Sequence, residues 1–504
     1  MKIRKSFILL LTVVSLVACN DDKYSLEVPS PDIEQGENGE EPDAPLSSRD
    51  EKYRPQIHFT PNANWMNDPN GMVYADGTWH LYYQYNPAGN DWGNMSWGHA
   101  TSTDLIHWSE QPVAMRHNQW GDIFSGSGVV DEGNVAGFGA GAILAFYTGT
   151  EPAQQQCLAY STDGGLTFTQ YEGNPVIPNQ GIADFRDPKV FWHEESNKWV
   201  MCLALGWEHR LEFWGSSNLI SWNKLSEFTI DNARINQGQF ECPDLFKLPY
   251  KDGEKWVLVI SNNPGGVAGG SGTEYLIGDF DGINFVADNR DYPLWLDYGA
   301  DNYAGVTWSN APQGRKILIG WMNNWNYAGN VPCSPWRSAM TLPRELKLVE
   351  VNGLPMLSTT VVKELDNIAG EWQTAADGIC RGGSAYEMKI KVDLTRNSTF
   401  RIANGVGQYM EVEINHVAKR IVANRSSLTG EVNFHGLFSV PSTSAPYYTD
   451  ANEMELNIYV DASSVEIISA DGTSAITNLV FPADTYDRII GVDDVSYRPL
   501  KSIW

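Results

Sequence analysis

The sequence predicts an all-β protein, a five-bladed β-propeller followed by a C-terminal β-sandwich, and three observations carry that prediction. Long helical periodicity is nearly absent between Arg54 and Leu346, where short apolar runs alternate with turns. A turn element recurs through the same stretch. Ser102-Thr103-Asp104-Leu105-Ile106-His107-Trp108 has counterparts ending at Phe168, Trp222 and Phe285, roughly 55–63 residues apart, a period in the range of propeller blades. Beyond about Asn352, strands with clean period-2 alternation take over.

Taken in chain order, residues 1–18 read as a targeting signal. Lys2, Arg4 and Lys5 precede an apolar stretch, Phe7 to Val17, that is too short to span a bilayer stably. Leu16-Val17-Ala18-Cys19 resembles the lipobox of bacterial lipoproteins, which implies cleavage before Cys19 and acylation of that residue. The expected mature form is an outer-membrane lipoprotein of the cell envelope, touching the membrane only through its lipid anchor. Its acidic start, Asn20-Asp21-Asp22, resembles tails that send some lipoproteins to the outer cell surface. Residues 19–52 are acidic, rich in Pro, Gly and Ser, and almost free of large apolar side chains. Such a segment buries too little surface to offset its ordering entropy, so a flexible tether is expected.

Residues 53–346 are expected to form the propeller. Met72–Tyr74 with Trp79–Tyr85, Val190–Trp192 with Trp199–Ala204, and Leu245–Leu248 with Trp256–Ile260 read as hairpins. Their turns include Ala75-Asp76-Gly77 and Lys251-Asp252-Gly253. About 290 residues at the observed period make five blades of four strands. Residues 347–504 are expected to form the sandwich, with strands at Tyr386–Leu394, Met410–Ile414 and Leu456–Ile468.

Composition narrows the partners. A formal net charge of −27 repels polyphosphates, so nucleic acid is excluded as a partner, whereas a neutral carbohydrate is compatible. The 19 Trp and 22 Tyr suit packed β-structure and sugar faces alike. Cys157, Cys202, Cys242, Cys333 and Cys380 are odd in number and widely scattered, which fits neither a disulfide framework nor a zinc site. No metal or other cofactor is expected.

In a propeller the innermost strand of each blade lines the axial channel, so residues at its start converge on one pocket. Three blades begin that strand with an acid near Pro: Asn67-Asp68-Pro69, Arg186-Asp187-Pro188 and Glu241-Cys242-Pro243. Glycosidic cleavage needs two carboxyl groups flanking the bond. The structural alternative is that each acid only caps the turn of its own blade.

At these residues the chain resembles glycoside hydrolase family 32, the invertases, inulinases, levanases and related fructosidases. Trp65-Met66-Asn67-Asp68-Pro69-Asn70-Gly71 looks like the family's nucleophile motif, and the other two acids resemble its remaining signatures in the family's order. Tyr83–Pro87, Trp97–Ala100, Phe124–Ser127, Gly320–Met322 and Asp461–Ile467 extend the likeness over nearly everything after the tether. The resemblance implies that Asp68 is the nucleophile, Glu241 the general acid/base and Asp187 the transition-state stabiliser of a retaining fructosidase. In a retaining enzyme the two working carboxyl groups lie about 5–5.5 Å apart. It also implies substrate-binding roles for Trp65, Asn67, Gln84, Trp92, Phe124, Ser125, Arg186, Tyr303 and Trp321. Asp301-Asn302-Tyr303-Ala304 departs from the family's usual Asp-Phe-Tyr-Ala at Asn302. Cys242 reads as a packed small apolar residue beside the acid.

The segments Gly320–Ala328 and Val331–Arg337 look most like microbial exo-inulinases and levanases. The expected activity is therefore release of terminal β-D-fructose from levan or inulin, and from sucrose. An endo-levanase or endo-inulinase is the alternative, decided by loop lengths around the pocket. More distant alternatives are a sialidase-like propeller, suggested by the turn at Ser161–Phe168, and a non-catalytic glycan-binding lipoprotein.

Overall fold

Turn chemistry sets the first level of organisation in the computed structural model, which describes residues 47–504 apart from 231, 233, 236, 427–429, 440–441 and 494. The signal sequence, Cys19 and the tether up to residue 46 lie outside the described residues. Asp76 and Gly77 both take positive φ and close the hairpin of Asn64–Ala75 with Thr78–Asn86, the geometry that suits the right-handed twist of paired strands. Asn352 and Gly353 do the same between Arg344–Val351 and Leu354–Val361.

Five sheets follow one another along the chain, antiparallel except where Trp336–Arg337 adds a short parallel strand to the edge of the first. Blade 1 begins with Asn64–Ala75, blade 2 with Ile123–Asp131, blade 3 with Phe185–His193, blade 4 with Gln239–Tyr250 and blade 5 with Tyr303–Thr307. Each of these first strands lies against the next, and the fifth lies against the first. That ring makes the propeller. Ser309 completes it, exchanging backbone hydrogen bonds of 3.0 Å with Met72 and Tyr74.

The recurring turn of the sequence links the third and fourth strands of blades 1 to 4. In blade 1, Ser102 Oγ accepts from the Asp104 N–H, and Asp104 Oδ1 accepts from the N–H groups of Ile106 and His107. Blade 3 repeats this through Ser216 and Asn218, whose Oδ1 accepts from Ile220 and Ser221. Asp163 and Asp281 cap the equivalent turns of blades 2 and 4. These side chains stand in for backbone partners that the tight turn removes.

Blade 5 joins its outer strands by the tight Asn352-Gly353 turn instead, which is why the repeat stops at four. Arg344–Val351 pairs with Ile317–Met322, so the fifth sheet runs to Val361. The expected division at Leu346 therefore falls inside a strand of this sheet.

The C-terminal region packs a six-stranded sheet, including Tyr386–Asp393 and Glu453–Asp461, over a five-stranded one that includes Ser398–Ala403 and Tyr409–Asn415. Tyr409–Asn415 alternates buried and half-buried residues along its length. Met388, Ile390, Leu456 and Ile458 from one sheet meet Ile402, Met410, Val412 and Ile421 from the other in a shared core.

Buried charges fasten this sandwich to the propeller. His58 Nδ1 lies 2.7 Å from Asp461 and its Nε2 lies 2.8 Å from Glu466. Arg344 pairs with Glu466 and, at 2.9 Å, with Asp297. The last residues of the expected tether are also docked: Arg49 pairs with Glu110 at 3.0 Å and lies over the Trp504 ring.

Candidate active site

All five first strands carry a register shift close to their start. The shifts lie between Met66 and Pro69, Ile123 and Gly126, Arg186 and Lys189, Glu241 and Asp244, and Tyr303 and Val306. A bulge adds a residue to one strand and re-aims the side chains beside it. Here the bulges span or border Asp68, Ser125, Asp187, Glu241 and Tyr303. Asp187, Cys242 and Ala304 take positive φ, an unusual conformation for side-chain-bearing residues and a mark of functional sites.

Hydrogen bonds hold these bulges in place. The Asp187 N–H donates to Thr148 Oγ1 at 3.0 Å, and Asp187 Oδ2 accepts from the Cys242 N–H at 2.8 Å. Asp68 Oδ2 accepts from Ser125 Oγ at 2.7 Å and from the Cys242 thiol at 3.6 Å. Its other oxygen has no protein partner among the described residues. Arg186 Nη1 stands 3.4 Å from Glu241 Oε1, and the Tyr303 hydroxyl donates to Glu241 Oε2. Beneath the acids, Lys189 Nζ lies 3.2 Å from Asp244 and donates to the Thr307 carbonyl at 2.8 Å, tying blades 3, 4 and 5 together.

Burial dominates the electrostatics. It pushes the Glu241 carboxyl up to about 7, with Arg186 and the Tyr303 hydroxyl pulling it down and Asp187 and Asp68 adding to the rise. Burial likewise raises Asp187 to about 6 against the pull of Arg186. Asp68 is raised by burial too, opposed by hydrogen bonds from Ser125, Asn67 and Cys242. Three acids sharing one low-dielectric pocket do not all ionise readily, so the cluster holds a proton near neutral pH.

A pocket of about 230 Å³ opens over this cluster. Asn67, Asp68, Gln84, Trp92, Phe124, Ser125, Arg186, Asp187 and Glu241 line it, all of them residues singled out from the sequence. Trp325 completes the lining. It sits in the turn after Ile317–Met322 and was missed in favour of Trp321, which belongs to the same aromatic-rich segment.

Trp65, Tyr303 and Trp321 lie behind the pocket wall. Each is at most 1% exposed, and they form one aromatic cluster with Trp325. Trp65 Nε1 donates to Asn67 Oδ1 at 2.7 Å and so sets the side chain beside Asp68. Asp301 is turned away from the pocket. It accepts from Tyr327 at 2.6 Å, pairs with Arg425 and accepts from the Leu479 N–H at 2.8 Å, joining blade 5 to the sandwich.

Known proteins resemble this chain over most of its length. Residues 58–358 match the model of the glycosyl hydrolases family 32 N-terminal domain, and residues 358–496 match that of the family 32 C terminal. A levanase of Bacillus subtilis is 43% identical over 494 residues, covering 92% of this chain and 72% of that protein. An extracellular exo-inulinase of Aspergillus niger is 39% identical over 491 residues, covering 86% of this chain and 90% of its own length. Among solved structures, an exo-inulinase from Aspergillus awamori superposes with a TM-score of 0.84 at 35% identity, covering 91% of this chain and all of that one. A β-fructofuranosidase from Schwanniomyces occidentalis, complexed with fructosyl-erythritol, gives 0.79 at 33% identity over 89% of this chain and 98% of that one.

Proposed function

Because this chain belongs to glycosyl hydrolase family 32, we propose that it is an exo-acting β-fructosidase that releases terminal fructose from levan or inulin. The observation that carries this reading is the meeting of Asp68, Asp187 and Glu241, from three blades, in one pocket walled by aromatic side chains. Its Trp92, Phe124 and Trp325 suit the apolar faces of a sugar ring.

Asp68 attacks the anomeric carbon with the oxygen that Ser125 leaves free. Glu241 gives its proton to the departing oxygen, so the glycosidic bond breaks as the bond to Asp68 forms. Glu241, now ionised beside Arg186, then takes a proton from water as that water attacks the fructosyl–Asp68 ester, which restores both groups. Asp187 accepts hydrogen bonds from the fructose hydroxyls and offsets the positive charge of the oxocarbenium-like transition state. Arg186 orients Glu241 and stabilises its ionised form.

The sequence around Cys19 supports a lipid-anchored envelope form of the mature enzyme, on the outer membrane and facing the substrate. Metabolic labelling with a fatty-acid probe, lost in Cys19→Ser, tests that part.

The chemistry is tested by following the anomer first released, using NMR. Retention as β-fructose, with turnover reduced by roughly 10³–10⁵-fold in Asp68→Ala, is expected. Inverted product, or undiminished turnover in that variant, would overturn the assignment.

A further inference from the structure

We propose that Trp207 is a platform for the fructosyl units beyond the scissile bond, an acceptor-side subsite that gives the enzyme its preference for polymer. The proposal rests on the exo-fructosidase reading above.

Trp207 lies in the short 3₁₀ turn Gly206–Glu208, between the second and third strands of blade 3. Leu205, just before the turn, pairs with Phe185, and Ala204 pairs with Arg186, so the turn stands at the active-site end of the blade. The Gly206 N–H donates to the Asp184 carbonyl at 2.9 Å. Asp184 in turn pairs with Arg186, which stands 3.4 Å from Glu241. On its other side the turn abuts blade 4. A Cβ on Gly206 would come within 2.6 Å of the Gln239 side chain, two residues before Glu241, so the two blades meet closely here.

The turn is held firmly. His209 closes it at a φ of 48°, with its N–H on the Gly206 carbonyl at 3.2 Å, and its ring packs on Phe240 at 5.4 Å. Arg210 pairs with Glu208 across it. Yet the indole it presents is 57% exposed and has no place in the pocket lining. A single exposed aromatic on a protein surface usually needs no explanation. The turn that carries this one is tied through Asp184 and Arg186 to the side of the pocket where Glu241 stands. Because Glu241 protonates the leaving oxygen, the units beyond the scissile bond lie on that side. The ligand class is therefore a neutral furanose chain, whose C–H faces stack on a flat, rigid ring.

The experiment compares wild type, Trp207→Ala and Trp207→Phe on levan, inulin and sucrose. Trp207→Ala is expected to lower kcat/KM on the polymers by about tenfold, mainly through KM, and on sucrose by less than about twofold. Trp207→Phe is expected to recover most of the loss. Equal losses on polymer and sucrose, or no loss on polymer, would overturn the proposal. A wild-type enzyme that releases no fructose from any of the three would instead overturn the reading on which it rests. Unchanged thermal unfolding of the exposed-site variants separates binding from stability.

Discussion

The Tyr303 hydroxyl bears directly on the protonation of Glu241. Its O–H donates to Glu241 and favours the ionised acid, while burial holds the Glu241 carboxyl up to about 7. The general acid must be protonated to act, so kcat/KM is expected to fall as pH rises through about 7. Removing the hydroxyl removes a stabiliser of the charged form, which raises the Glu241 pKa. Tyr303→Phe should therefore move the alkaline limb of the kcat/KM profile upward by about one pH unit. A limb that stays in place or moves down would contradict the assigned hydrogen bond. At this scale the three acids were legible because each stands near a proline at a blade's start. Tyr303 was legible as a site residue but not as a partner of Glu241, because that contact depends on how two bulges turn neighbouring strands. Trp321 and Trp325 lie four residues apart, and only the end of the strand at Met322 decides which one reaches the pocket.

The bulged first strand is the element that makes the site. Thr148, from the second strand of blade 2, supports the blade 3 bulge by accepting the Asp187 N–H and donating to Gln156 Oε1 at 2.8 Å. Thr148→Val keeps the shape and leaves a buried N–H unpaired, at a cost of about 1–3 kcal/mol. The expected outcome is a lower melting temperature together with a fall in kcat of about tenfold, since Asp187 loses its fixed aim. A destabilised variant with unchanged kcat would show that the bulge serves folding alone. Blade hairpins were readable from their Asp-Gly turns and apolar runs. The bulges were not, because a register shift is a relation between two strands and leaves no period in either one.

Across the whole molecule, buried ion pairs join propeller to sandwich. His58, between Asp461 and Glu466, is raised to about 9, its two carboxylate partners outweighing its burial. A histidine raised from its ordinary 6.5 contributes stability that is complete below about 6.5 and lost as pH rises through about 9. Glu466, lowered to about 2 chiefly by Arg344 against its burial, contributes stability above its ordinary 4.5 that is lost as pH falls through about 2. His58→Gln should lower the melting temperature at pH 6 by about 2–5 °C and flatten its decline between pH 6.5 and 9. An equal decline in both proteins would place the alkaline sensitivity elsewhere. The propeller and the sandwich were each legible from periodicity. Their junction was not: Arg344 and Glu466 meet across 122 residues of chain, a pairing that leaves no mark on either local pattern.

The proposed mechanism requires that Asp68 and Glu241 together remove fructose from the end of a chain. A time course of products from levan and inulin, resolved by chromatography and run beside Asp68→Ala and Glu241→Ala, tests it most directly. Free fructose is expected as the sole product from the earliest points, with its near-complete loss in both variants. Oligosaccharides appearing first, or fructose released undiminished by either variant, would contradict it.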